Sequence, residues 1–370
     1  MSETRSWSRP LVVGFAGSAV ALLLVARVFG MIGGDPTNFV GFGEDSTLIN
    51  EYAESRLGRE VAKRPAMGHD GKYFFVQAHD PFFIEPDQNI AVIDRPLYRA
   101  QRMLYPMLAG GFGLFSSVAI VWGLVVVNVL AMGAGTFATS VVARRMGGSP
   151  WWGLAFALNV GLVNEVNIDG AGVIAAALAF GAVAAILTDR GGWAVALLTW
   201  AGLSREVMLV SAVGVGLWLW QMQRRRLALL TAVIPIAAVG LWAVFLRVRL
   251  GRGSGASEAG FAFELPFVGL AKAIPIWLER PLDMAAGLAV LFLLGVYLYR
   301  TLKSNALVGW AFLGFVPLTL VLSDLVWTHY FDSTRAVAPM ITAYVLMVFL
   351  TNRPTARVDQ LRSEPSMESS

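Results

Sequence analysis

The chain has no cysteine among its 370 residues. This excludes disulfides, thiolate metal sites and a cysteine nucleophile. Charge is scarce too: Asp, Glu, Lys and Arg make up 15% of the residues, against about 25% in ordinary soluble domains. Only three histidines occur, His69, His79 and His329, and no two lie at i, i+4, so no helical metal-ligand pair is present. There is no Walker loop, no dinucleotide-binding glycine fingerprint after a strand, no Gly-x-Ser-x-Gly elbow and no repeat of fixed period. What remains is apolar. Hydrophobic residues make up 56% of the chain, and mean hydropathy is +0.62. A soluble fold has no interior large enough for this much apolar surface, so lipid is the expected solvent. The net charge of +4 is small, and the basic residues fall in short clusters between apolar runs. They read as topology signals, not as a nucleic-acid surface.

These runs predict an all-α polytopic membrane protein with about ten transmembrane segments. Leu11 to Gly30 follows Arg5 and Arg9 and, at about 20 residues, is long enough to span; a signal peptide has a shorter apolar core. A long polar stretch, about 34–103, holds most of the acids and becomes the first extracytoplasmic loop. Met103 to Ser116, broken by Pro106 and Gly110-Gly111, reads as a lead-in or re-entrant helix, and Ser117 to Val142 spans. Two apolar stretches follow, interrupted by Asn164-Glu165, Asn167 and Asp169, and by Ser204-Arg205-Glu206. As single helices they would bury charges at mid-membrane, at about 2.5–3.5 kcal/mol each. As hairpins they place these polar groups in turns, and their first arms of only about 12–13 residues sink the turns below the membrane surface, facing a wet cavity. Leu227 to Leu246, Leu282 to Tyr299, Leu307 to Trp327 and Ala336 to Leu350 complete the set, with a second outer loop at about 247–281. This arrangement puts Arg144-Arg145, Arg190, Arg224-Arg225-Arg226, Arg300, Lys303 and both termini on the cytoplasmic side of the inner (cytoplasmic) membrane. Residues 1–350 form one membrane domain, and the Ser/Glu/Pro-rich 351–370 reads as a disordered cytoplasmic tail. Arg247, Arg249 and Arg252 fall outside, either snorkelling at the interface or binding a phosphate head group.

Five outer polar clusters carry the candidate chemistry. Gly68-His69-Asp70-Gly71-Lys72-Tyr73 frames His69 and Asp70 with glycines that permit close approach of a ligand, or simply a turn. Tyr98-Arg99-Ala100-Gln101-Arg102 has arginines able to grip a phosphate bidentately, or to anchor the interface. Glu165 and Asp169, and Arg205-Glu206, lie at membrane depth, where ionisable groups tend to mark sites, although opposite charges also neutralise one another structurally. Asp332-Ser333-Thr334-Arg335 begins the last helix.

The motifs at 68–75, Asp80-Pro81, 98–102 and Leu104-Tyr105-Pro106 together resemble the first outer loop of bacterial GT-C-type integral membrane glycosyltransferases, in particular those implicated in cell-surface glycopolymer formation. Lys72 stands where those proteins usually have glutamine. Arg205-Glu206, Asn167-Ile168-Asp169 and Asp332 to Arg335 resemble later turns of such proteins. The resemblance implies a polyprenyl-phosphate sugar donor, a glycan or lipid acceptor, and transfer at the extracytoplasmic face with Asp70 as general base. On that reading Arg99, Arg102, Arg205 and Arg335 are the arginines for the leaving phosphate, and Tyr98, Glu206 and Asp169 line the site. A divalent cation with Asp70 and Asp169 as oxygen ligands is compatible with this chemistry. Two other classes remain open: a transporter or flippase of lipid-linked sugars, and a non-catalytic scaffold for envelope assembly.

Overall fold

The computed structural model describes residues 4–251 and 263–350, with side chains from Trp7 onward. The expected tail at 351–370 and Arg252 lie outside the described residues. Among the described residues the fold is all-helical apart from a two-residue parallel pairing, Phe42↔Lys63 and Gly43↔Arg64, and an isolated antiparallel bridge, Phe263↔Leu322.

Among the described residues, four helices are long and apolar enough to cross a membrane: Trp7–Met31, Ser117–Arg145, Arg225–Leu250 and Pro281–Ser304. A fifth candidate is the pair Tyr330–Ala336 and Ala338–Leu350, bent by 65°. Of the about ten expected spans, four or five have the length and composition of a membrane-crossing helix among the described residues. The other apolar runs are short: Gly172–Leu187 has 16 residues, Gly191–Ser204 has 14 and Leu209–Gln221 has 13. At 1.5 Å per residue they reach about 20–24 Å, short of a hydrocarbon core of about 30 Å. The expected span Leu307 to Trp327 is broken into Leu307–Phe312, Phe315–Leu320 and Asp324–Trp327. Pro317 has no N–H to continue the helical ladder, and Gly314 just before it offers little resistance to a bend. Pro339 acts likewise beside the bend at Val337, since it has no N–H to bond the Arg335 carbonyl one turn back.

Ser117–Arg145 is the central post. Its first turn is capped by Ser116, whose Oγ accepts the Ala119 N–H at 3.1 Å. It lies against Thr4–Met31 on one side and Gly172–Leu187 on the other. The contact with the first helix depends on small residues: a Cβ added at Gly14 would sit 2.9 Å from the Cβ of Phe137. Close backbone approach of this kind is how helices associate where lipid offers no hydrophobic drive.

The ends of the bundle differ. Arg224 pairs with Asp189 at 3.3 Å, and Trp218 donates to the Asn305 carbonyl at 3.0 Å. The turns near 189, 224 and 305 thus gather at one end, and the Gly172–Leu187 helix runs toward it from its start beside Glu165. At the opposite end the long polar stretch is not an open loop. It folds into short helices, Thr47–Leu57, Gly71–His79, Pro86–Val92 and Pro96–Arg99. Every residue from Gly71 to Ala78 is buried. The expected second outer loop, at about 247–281, is helical toward both ends. The Arg225–Leu250 helix runs past Arg247, and Val268–Glu279 is helical. Arg249 donates to the carbonyls of Phe83, at 2.6 Å, and Ile84. Its guanidinium thereby ties this helix end to the first outer segment.

Candidate functional site

Asp70 stands at the N-cap position of the Gly71–His79 helix, and the chain around it leaves no room for larger residues. A Cβ on Gly68, whose φ is +67°, would meet the Gly41 carbonyl oxygen at 2.2 Å. One on Gly71 would meet the Val40 and Ile168 carbonyl oxygens at 2.6 and 2.9 Å. The glycines let three backbone segments pass against one another and fix where residues 69 and 70 sit. Lys72, which stands where the resembled proteins usually have glutamine, is buried. Its Nζ donates to Ser46 Oγ at 2.6 Å and to the Met67 carbonyl, closing the turn from beneath.

Each carboxylate oxygen of Asp70 meets an arginine: Oδ1 accepts from Arg99 Nη1 at 2.7 Å and Oδ2 from Arg102 Nη1 at 2.9 Å. Arg99 is braced by Asp94 at 3.0 Å and lies over the Tyr73 ring at 4.2 Å. Arg102 donates to Tyr98 Oη at 2.8 Å, and its Nε faces Glu206 at 3.5 Å without the alignment of a hydrogen bond. The Asp70 side chain keeps 28% exposure. Burial on its own would raise the Asp70 pKa, but Arg99 and Arg102, with Arg335 behind them, outweigh it and hold the carboxyl well below the ordinary range.

A second ionic group lies alongside. Glu165 is 2% exposed, and its Oε1 accepts from both Arg205 Nη1, at 3.1 Å, and Arg335 Nε, at 3.0 Å. Its Oε2 accepts the Gly172 N–H at 3.0 Å, so the same carboxylate caps the Gly172–Leu187 helix. Arg335 also holds Asp332 at 3.1 Å. The two groups adjoin through the consecutive residues Arg205 and Glu206 and through the field of Arg335, which acts on Asp70. Segments about 70, 100, 165, 205 and 335 thus meet at one end of the bundle.

Asp169 does not join them. It is fully enclosed, at a φ of +47°, and neither carboxylate oxygen has a partner. Burial pushes its pKa well above the ordinary value, against the opposing pull of Arg64. Asp169 is expected to line the site and to share a cation with Asp70; its oxygens are sealed away, and those of Asp70 are held by guanidinium groups. Among the described residues no three His, Asp or Glu side chains gather as a metal site.

His69 belongs to the first candidate cluster, with no role assigned to it on the sequence. Its backbone N–H donates to the Gly41 carbonyl at 2.8 Å, and its ring stacks on Phe331 with centroids 6.2 Å apart. Burial first, then the positive charges of Arg64 and Arg335, push its pKa down to about 4, so it is neutral at physiological pH. Glu165, Asp94 and Asp332 are the other partners that complete the network. The signal for Glu165 was present: a carboxylate in an apolar arm must find a cation.

Along the side of the bundle runs a cavity of about 920 Å³, almost wholly apolar, between the Thr4–Met31, Ser117–Arg145, Gly172–Leu187 and Gly191–Ser204 helices. It extends from Leu108 and Phe112 to Thr188 and Arg190. Compared with known proteins, the chain matches no family model, no curated protein and no solved structure.

Proposed function

We propose that the chain is a GT-C-type membrane glycosyltransferase, which moves a sugar from a polyprenyl-phosphate donor to a glycan or lipid acceptor of the cell envelope. On this reading the ionic end faces the extracytoplasmic side of the cytoplasmic membrane, and the Arg190 and Arg224 end faces the cytoplasm. The observation that carries the proposal is the Asp70 carboxylate held by two arginines, with a second arginine pair on Glu165 beside it. Four guanidinium groups at one membrane end suit an anionic phosphate ligand.

The reaction is a single displacement. An acceptor hydroxyl attacks the anomeric carbon, the bond from that carbon to the phosphate oxygen breaks, and the electron pair leaves with the lipid phosphate. The hydroxyl proton passes to Asp70, and the sugar carbon inverts. As it stands, Asp70 is a weak base, because both oxygens neutralise arginines, whereas a catalytic base works best with a pKa near the operating pH. Donor binding removes the obstacle: the phosphate competes for Arg99 and Arg102, and each guanidinium that turns to it returns proton affinity to Asp70. The same arginines then face the charge that develops on the leaving phosphate.

The test is transfer of radiolabelled sugar from a polyprenyl-phosphate-sugar donor by purified protein in nanodiscs. Asp70→Asn should lower turnover at least a hundredfold while the donor still binds. Wild-type turnover in that variant removes Asp70 from the base role. The long apolar cavity also favours a second reading, movement of a lipid-linked sugar across the bilayer. Net transfer of labelled sugar into sealed vesicles without any change in its linkage would select that reading.

A further inference from the structure

Around Asp70 nearly every ionisable side chain is already occupied. Asp70 holds Arg99 and Arg102, Glu165 holds Arg205 and Arg335, Asp332 holds Arg335, and Lys72 is bonded to Ser46 and Met67. Asp169 is unpaired but sealed from solvent. His69 differs: it is partly exposed, and among the described residues no donor or acceptor engages its ring nitrogens. Its position is nonetheless fixed. Its N–H is held by Gly41 and its ring rests on Phe331, while glycine at 41, with a φ of +75°, admits its Cβ at 3.0 Å. The charged groups that act on it are Arg64 from the 63–64 strand, Arg335 from the last helices, and Asp70 and Lys72 from its own segment. Burial first, and then the three cations among these four, keep the ring neutral, so one nitrogen donates and the other accepts. A fixed, neutral group with both hydrogen-bonding capacities open suits a hydroxyl, which also donates and accepts.

We infer that His69 is the hydroxyl-recognising residue of this site and hydrogen-bonds a sugar hydroxyl of the ligand whose phosphate lies on the arginines. The inference rests on the phosphate-site reading above and adds the chemical class of the neighbouring subsite. The hydroxyl belongs either to the donor sugar or to a sugar acceptor, and these sources can be separated.

The experiment measures binding to full-length protein in nanodiscs by calorimetry, with dihexyl phosphate as the plain phosphodiester and hexyl glucosyl phosphate as the donor-like probe. Methyl glucoside added to the dihexyl phosphate complex is the acceptor-like probe. If His69 grips the donor sugar, the wild type prefers hexyl glucosyl phosphate over dihexyl phosphate by roughly fivefold, the worth of one neutral hydrogen bond. If it grips the acceptor, methyl glucoside binds the complex instead. His69→Phe keeps a ring to stack on Phe331 and removes both nitrogens, so it should abolish the preference, or the methyl glucoside binding, while dihexyl phosphate affinity stays at the wild-type value. His69→Asn should restore part of what is lost. A preference that survives His69→Phe, or wild-type protein that binds dihexyl phosphate but neither sugar probe more tightly, overturns the inference and leaves the phosphate site standing. Failure of dihexyl phosphate to bind at all brings down the phosphate site itself and this inference with it.

Discussion

Glu165→Gln isolates the electrostatics of the second ionic group. Glu165 and Asp332 contribute two negative charges and Arg205 and Arg335 two positive, so the group is neutral. The substitution keeps the volume of the side chain and an oxygen for the Gly172 N–H, but leaves a net charge of +1. The site cannot relax by admitting much water, because Glu165 is 2% exposed and closely walled by Gly170 and Gly172. Removing one partner of a buried pair costs about 3–5 kcal/mol, mostly the penalty of the stranded charge. The loss should appear as a lowered thermal midpoint of the protein in nanodiscs. Adding Arg205→Gln returns the group to neutrality, and the double variant should recover part of the loss, with a coupling of about 1–3 kcal/mol. If Glu165→Gln melts with the wild type, or if the double variant is no more stable than the single, the pairing described here does not hold the two turns together.

Three further outcomes follow from the same geometry. The His69 pKa is lower in the folded chain, about 4, than its unfolded value of about 6.5, so the unfolded state binds more protons between these values. Stability from this group is therefore present above pH 6.5 and declines as pH falls toward 4, and His69→Gln should flatten that part of the midpoint-versus-pH curve. Asp70 works lower on the scale. Its folded pKa is depressed, so its contribution is complete above the unfolded value of about 3.9 and fades only in stronger acid, a limb that Asp70→Asn should remove. Gly68→Ala forces a Cβ against the Gly41 carbonyl at a positive φ, and by displacing His69 and Asp70 together it should lower donor turnover at least tenfold with a smaller loss in melting midpoint.

The long helices were legible because each combines an uninterrupted apolar run with polar ends, and Ser117–Arg145 is marked by Ser116 at its start and by Arg144 and Arg145 at its close. The later bends were not. Hydropathy sums over Leu307 to Trp327 without registering that Pro317 and Gly314 break the helix, so a run of spanning length becomes three short pieces. The candidate site was partly legible: Asp70, Arg99 and Arg102 lie within one polar segment, and Arg205 and Arg335 stand out as charges beside apolar runs. Their pairing was not, because Glu165 meets Arg335 across 170 positions of sequence, and no local pattern records a contact of that range. The enclosure of Asp169 was not legible either, since the sequence places it in a polar turn and only the fold brings neighbouring backbone around it.

The account depends on the first outer segment meeting the last helices. The natural chain has no cysteine, so a His69→Cys, Phe331→Cys pair can be read without background. The two rings stack at 6.2 Å, and a short bifunctional thiol reagent should therefore join the two positions in membranes in high yield, while His69→Cys paired with Trp220→Cys at the far end should not react. Labelling of both single cysteines without any cross-link between 69 and 331 would contradict the shared site.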